Sequence, residues 1–279
     1  VGGAARCGAM TLDDLLAVIP SGEELPEKIV EQLRSAGADA HRSIVELLET
    51  EVAALKQGAD TLFHPMAAEH AVKLACALKV HAAIRPLCSI VAYADSSFII
   101  FNTALFALVD FGAAAVEDLL AQWAVSPVGG LAEALGKVGA GDERVFSALV
   151  GWLDKDPESA AMALADLGDP RAIEPIRAAL AGIEYDPSGG PFRNHVLIEM
   201  TASIEALGGA LTATEQQKLD HVDADAATFR EAIELGAAAR KSSVKTLPAA
   251  PKHPRNAPCW CGSGVKYKKC HEPEPAPAV

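Results

Sequence analysis

Cys259, Cys261, Cys270 and His271 fall within thirteen residues near one end of the chain, in the spacing C-x-C-x8-C-H. Three thiolates and an imidazole make a closed tetrahedral donor set, the kind a structural zinc ion takes. Ferrous iron competes by ligand type. A catalytic metal is not expected, because protein would fill all four positions. A segment this short cannot bury a core of its own, so metal binding must supply the free energy that folds it. Gly262 and Gly264 allow a positive φ, and with it a sharp turn between the two halves of the set. Pro258 stiffens the entry, and Tyr267 is a bulky residue able to cover the sulfurs. A disulfide is the bland alternative, but Cys259 and Cys261 are too close for an unstrained bridge.

The residues around these ligands carry a resemblance. Arg255-Asn256-Ala257-Pro258-Cys259-Trp260-Cys261-Gly262-Ser263-Gly264, followed by Lys266-Tyr267-Lys268-Lys269-Cys270-His271, resembles the SEC-C motif, the C-terminal metal-binding tail of the bacterial preprotein translocase ATPase SecA. Ala257, Trp260 and Val265 depart from the usual pattern, and none of them is a ligand position. The resemblance implies a zinc module that docks on another macromolecule. Similar tails in the translocase bind the SecB chaperone and ribosomes. Arg255, Lys266, Tyr267, Lys268 and Lys269 would then make the contacts. No Gly-rich phosphate loop followed by Lys-Ser or Lys-Thr occurs in the chain, so the translocase's ATPase is not implied.

Charge is unevenly spread. Residues 240–271 hold eight cations and no acid, which leaves residues 1–239 with 35 carboxylates against 16 cations. Such a body repels nucleic acid, while the basic segment can reach for an acidic protein or for ribosomal RNA. Nucleic acid is therefore expected only indirectly, through a ribosome. A lysine-rich linker that merely stays solvated is the simpler reading, but the cations continue inside the metal module, which favours docking.

The elements that must carry this module are helical. Half the chain is apolar and only 5% aromatic, with Ala and Leu dominant, which favours helices over sheets. Caps place helices near 27–35, stopped by Gly37, and 39–56, with a further one starting at Pro65. Ala83-Ile84-Arg85-Pro86-Leu87 parallels Ala172-Ile173-Glu174-Pro175-Ile176. Taking Lys79, Gly112, Gly139, Gly168 and Gly208 as equivalent corners gives steps of 33, 27, 29 and 40 residues. That period marks an α-solenoid of helix pairs. The best unit has Asp156 as N-cap, Pro157 at the first helical position and Gly168 as the left-handed stop; it resembles a HEAT-like repeat. Pro86 and Pro175 are expected to kink their helices. Thr212 and Glu215 form a capping box, and a last helix is expected over 223–240 with Phe229, Ile233 and Leu235 inward. The whole layout also resembles a bacterial family of about this length, a resemblance that implies no activity.

Other residues that could do chemistry are His64, Glu69 and His70, with His81 nearby, but no His-Glu-x-x-His pattern joins them. Cys76 and Cys88 lie among apolar residues at helical spacing and read as inert buried thiols. The polar loop at 184–193 reads as a turn-rich connection with room for a binding role. The expectation is an all-α protein: residues 1–10 as a disordered start, a HEAT-like solenoid over 11–240, a linker over 241–254, the zinc module over 255–272 and a disordered 273–279. Residues 1–9 hold no apolar signal-type region, and no stretch reaches about 18 uncharged apolar residues, so the expected location is the cytoplasm. The function expected is an adaptor, with an enzyme centred on His64, Glu69 and His70 as the rival.

Overall fold

The computed structural model describes residues 16, 25–58, 66–94, 99–187, 194–224, 227–228 and 264–270. The chain divides into two compact units, 1–225 and 226–279. The expected boundary at 240 and the expected linker lie outside the described residues.

The first unit is a run of helices: α1 (Glu27–Ala36), α2 (Ala38–Lys56), α3 (Met66–Ala77), α4 (Ile84–Tyr93), α5 (Ile99–Phe111), α6 (Val116–Val125), α7 (Gly129–Val138), α8 (Glu143–Trp152), α9 (Pro157–Leu167), α10 (Ile173–Ala181) and α11 (His195–Ala206). A further helix covers 213–224, and the described residues contain no β-strand. From α3 onward the helices come in pairs. The first members, α3, α5, α7, α9 and α11, pack in series, and α4 and α6 pack behind them. This is a HEAT-like α-solenoid, in which each pair buries its apolar stripe against the next. Leu74, Leu108, Leu135, Leu164 and Met200 are fully buried along that row. The contact between α7 and α9 is the densest, and Gly136 makes it possible: a Cβ there would lie 2.9 Å from the Ala163 Cα.

The turn within each pair follows one plan. The first helix ends, a residue takes positive φ, and a cap or a short 3-10 turn launches the second helix. Lys79 (φ 51°), Gly112 (61°), Gly168 (75°) and Gly208 (86°) occupy the left-handed position. At the third pair the expected corner is displaced. Gly139 has φ −90°, and the left-handed residue is Gly141 at 80°. Gly139 is required for space instead, since a Cβ would meet the Leu135 carbonyl and the Val145 side chain at 2.7 Å. Asp156 caps α9 by accepting from Ser159 N at 3.1 Å, with Pro157 inside the first turn. The Thr212–Glu215 box forms as read: Thr212 N donates to Glu215 Oε2 at 2.6 Å, and Glu215 N to Thr212 Oγ1 at 3.3 Å.

The prolines do not kink helix interiors. 3-10 turns His81–Ala83 and Pro170–Ala172 precede α4 and α10, so Pro86 and Pro175 are the third residues of their α-helices. First-turn N–H groups have little or no intrahelical partner to lose, so proline is tolerated there. The helix opened by that box covers 213–224, and most of the last expected helix, 223–240, lies outside the described residues, Phe229, Ile233 and Leu235 included.

Residues Ile99–Val125 meet the length and composition test for a membrane span, with a mean hydropathy of 1.9. That test admits a few charged residues, and Asp110, Glu117 and Asp118 interrupt this segment, so it holds no run of about 18 uncharged apolar residues. Half of the window is buried within the protein itself, and the left-handed Gly112 interrupts the rod between α5 and α6.

Candidate metal centre and docking faces

In the second unit the described residues are 264–270. Gly264 has φ 72°, the left-handed turn that the glycine was expected to supply. The chain then winds into one helical turn, Tyr267–Cys270, closed by Lys269 N donating to Lys266 O at 2.8 Å. Lys266, Lys269 and Cys270 are exposed. Tyr267 and Lys268 belong to the same turn by backbone. Arg255, Cys259, Cys261 and His271 lie outside the described residues, so of the four expected ligands the structure describes Cys270, at the end of its turn. The donor chemistry of the four residues fits a tetrahedral ion of the zinc type, and the reversal at Gly264 lies between Cys261 and Cys270 as that fit requires.

The body carries a charged ladder at the repeat period. Arg144 Nη2 lies 2.7 Å from Asp142 of its own repeat and 2.6 Å from Glu117 of the preceding one. Arg171 repeats this with Asp169 at 2.6 Å and Glu143 at 2.9 Å. Arg144 holds the Asp142 carboxyl down at about 2, first through their side-chain hydrogen bonds. Lys79 pairs with Asp110, Ser89 Oγ donates to Gln122 Oε1 at 3.1 Å, and Trp123 meets Trp152 edge-on at 5.2 Å. Lys218 Nζ donates to the Leu180 and Ile183 carbonyls at 3.1 and 2.6 Å, capping the end of α10 with a cation. Each contact ties one repeat to its neighbour.

Two hollows open on the row of first helices. One, of about 640 Å³, lies between α3 and α5, with Lys73, Cys76, Phe106 and Asp110 on its walls. The other, of about 550 Å³, runs across α5, α7, α9 and α11 past Phe101, Glu133, Met162 and Glu199. Phe106 is 67% exposed and Met162 45%, large apolar side chains that the core leaves out. These hollows were missed in the sequence. The available signal was that Phe106 and Met162 fall outside the buried phase of their helices.

The residues of the rival reading are placed otherwise than an open site needs. His70 is fully buried, and Glu69, also buried, pairs with Lys73 at 2.7 Å. His81 is exposed and stands edge-on to Phe111 at 5.6 Å. His64 lies outside the described residues. Cys88 is buried as expected, whereas Cys76 is half-buried; desolvation pushes the Cys76 thiol up to about 11, with Asp110 adding, and the Cys88 thiol up to about 12. In the 184–193 loop, Asp186 N donates to Asn194 Oδ1 at 2.9 Å, and Asn194 Nδ2 donates back to Asp186 O at 3.0 Å. That pairing fixes one end of the loop; 188–193 lie outside the described residues.

Residues 255–273 match the family model described as SEC-C motif, and residues 157–182 match PBS lyase HEAT-like repeat. The chain carries a SEC-C motif. Its curated relatives are similar over the SEC-C region. Protein translocase subunit SecA of Aromatoleum aromaticum is 39% identical over 72 residues, 26% of this chain and 8% of that protein. SecA of Burkholderia lata is 37% identical over 82 residues, 27% of this chain and 9% of its own. SecA of Borreliella burgdorferi is 57% identical over 30 residues, 11% of this chain and 3% of its own. The chain thus spans less than a tenth of the length of the curated relatives it matches. No solved structure is significantly similar to it. The HEAT-like match spans α9 and α10, the pair whose caps were the clearest in the sequence.

Proposed function

We propose that the protein is a zinc-binding adaptor of the cytoplasm. The solenoid over 11–240 holds one protein partner. A linker over 241–254 tethers the SEC-C module, 255–272, which docks on a second macromolecule. The tether raises the local concentration of one partner for the other. Cys259, Cys261, Cys270 and His271 hold the ion, and zinc suits their softness better than ferrous iron does. When bound, the ion supplies folding free energy to the module and no reaction. Arg255, Lys266, Tyr267, Lys268 and Lys269 form the contacting face. Its eight-cation segment fits an acidic partner, with a ribosome or a SecB-like chaperone the leading choices by similarity to SecA tails.

The observation that carries this reading is the join of a SEC-C motif to a helical-repeat body that leaves the large apolar side chains of Phe106 and Met162 exposed. The rival enzyme draws no support from a fully buried His70 and an ion-paired Glu69. A pull-down from native cytoplasm, comparing the intact chain with one truncated after Arg240, tests the adaptor. Recovery of one partner class only with the tail, and of another with either version, is the expected result. The same partners with both versions would remove the tail's role.

A further inference from the structure

We infer that the groove across α7, α9 and α11 takes a basic peptide segment bearing apolar side chains. The inference rests on the adaptor reading and gives its body a partner chemistry. The hollow is about 550 Å³, enough for a few side chains. Ala163, Ala202 and Ala206 border it, and residues this small let a bound backbone approach closely, while Phe101 and the exposed Met162 offer apolar contact.

Charge decides what can fill it. Glu133, Asp166 and Glu199 line the groove against the single ammonium of Lys137. Lys137 lies 2.8 Å from Asp166 and 3.7 Å from Glu133, and both carboxylates stay more than 40% exposed. Glu199 faces His195 Nε2 at 3.2 Å, and His195 Nδ1 faces a further carboxylate, Glu158, at 3.0 Å. The rim is therefore acidic, in a body with 35 carboxylates against 16 cations. That field repels nucleic acid, anionic lipid and a second copy of the body, and it draws in a segment rich in Lys or Arg.

The test uses the full chain and a fluorescein-labelled peptide of lysine, leucine and methionine, read by fluorescence anisotropy. Its control carries glutamate at every lysine position. Saturable binding of the lysine peptide that weakens with salt is expected, with the glutamate peptide at least about tenfold weaker. Ala202→Trp fills the groove from an exposed helix position and should abolish binding, with circular dichroism unchanged. Glu199→Gln, which perturbs packing less, should weaken binding about two- to fivefold. Equal binding of both peptides, or unaltered affinity in both variants, overturns the inference. So does a failure to bind either peptide combined with a self-association that Ala202→Trp removes. In any of those cases a partner recovered by the truncated chain would still uphold the adaptor, at another face.

Discussion

Arg171 reaches back 28 residues to Glu143 at 2.9 Å while holding Asp169 of its own repeat at 2.6 Å. Arg144 does the same one repeat earlier, with Glu117 and Asp142. In each case the aspartate also caps the turn that starts its second helix, accepting from the arginine's own N–H at 2.9 Å. One side chain thus orients the cap, and the guanidinium converts that local order into a link between repeats. The arginines and glutamates are exposed and the two aspartates half-buried at the surface, so the ladder serves register more than stability.

The ladder sets an acid-side signature. The folded Asp142 pKa is depressed to about 2 from an ordinary value of roughly 3.9. Stabilisation from it is therefore present above pH 4 and is lost as pH falls toward 2. Arg144→Ala should lower the melting temperature at pH 5 by a small, salt-sensitive amount. The gap between variant and parent should close as melts are repeated down to pH 2. A gap that persists at pH 2 would mean that packing of the arginine stem, and not the carboxylate, is what was removed.

Glycines at two helical positions should respond oppositely to alanine. At Gly136 a methyl group would overlap Ala163 backbone atoms across the α7–α9 contact, so Gly136→Ala should cost about 1–3 kcal/mol. At Gly151 in α8 a Cβ meets nothing within 4 Å, so Gly151→Ala should stabilise by up to about 1 kcal/mol. Urea titrations of the two variants read both signs. A neutral Gly136→Ala would show that the helices can separate freely.

Much of the solenoid was readable because its signals are local. Asp156, Pro157 and Gly168 each act within one turn of α9, and each does what its residue type dictates. Gly139 and Gly141 were confused because both are glycines near one corner, and only the backbone distinguishes a residue kept for space from one kept for φ. Pro86 was read as a kink because the 3-10 turn that makes it a first-turn residue is set by tertiary packing. The Arg171–Glu143 link spans two repeats, beyond any window of helical periodicity, although the 27-residue spacing of Asp142-x-Arg144 and Asp169-x-Arg171 was there to be seen. The proposed metal ligands were read from their spacing together with the motif around them, and of those four residues the structure describes Cys270.

Cysteine chemistry separates the two units. Thiols raised to about 11 and 12 hold almost no thiolate at neutral pH, so Cys76 and Cys88 should resist iodoacetamide in the native protein at pH 7.5. Cys259, Cys261 and Cys270 should be protected by the ion and become alkylated once a chelator removes it. Mass spectrometry of the labelled peptides, with and without chelator, checks both halves. Rapid labelling of Cys88 without denaturant would contradict its burial, and chelator-independent labelling of the other three would contradict the metal site.

The adaptor account meets its most direct test in one paired measurement: metal content and ribosome or SecB binding, for the intact protein and for Cys261→Ser. The account predicts about one zinc per chain and tail-dependent binding in the parent, in line with a closed four-ligand site. In the variant both should be lost, while the thermal melt of the helical body is unchanged. Binding that survives loss of the metal, or a body that melts with it, would contradict the account.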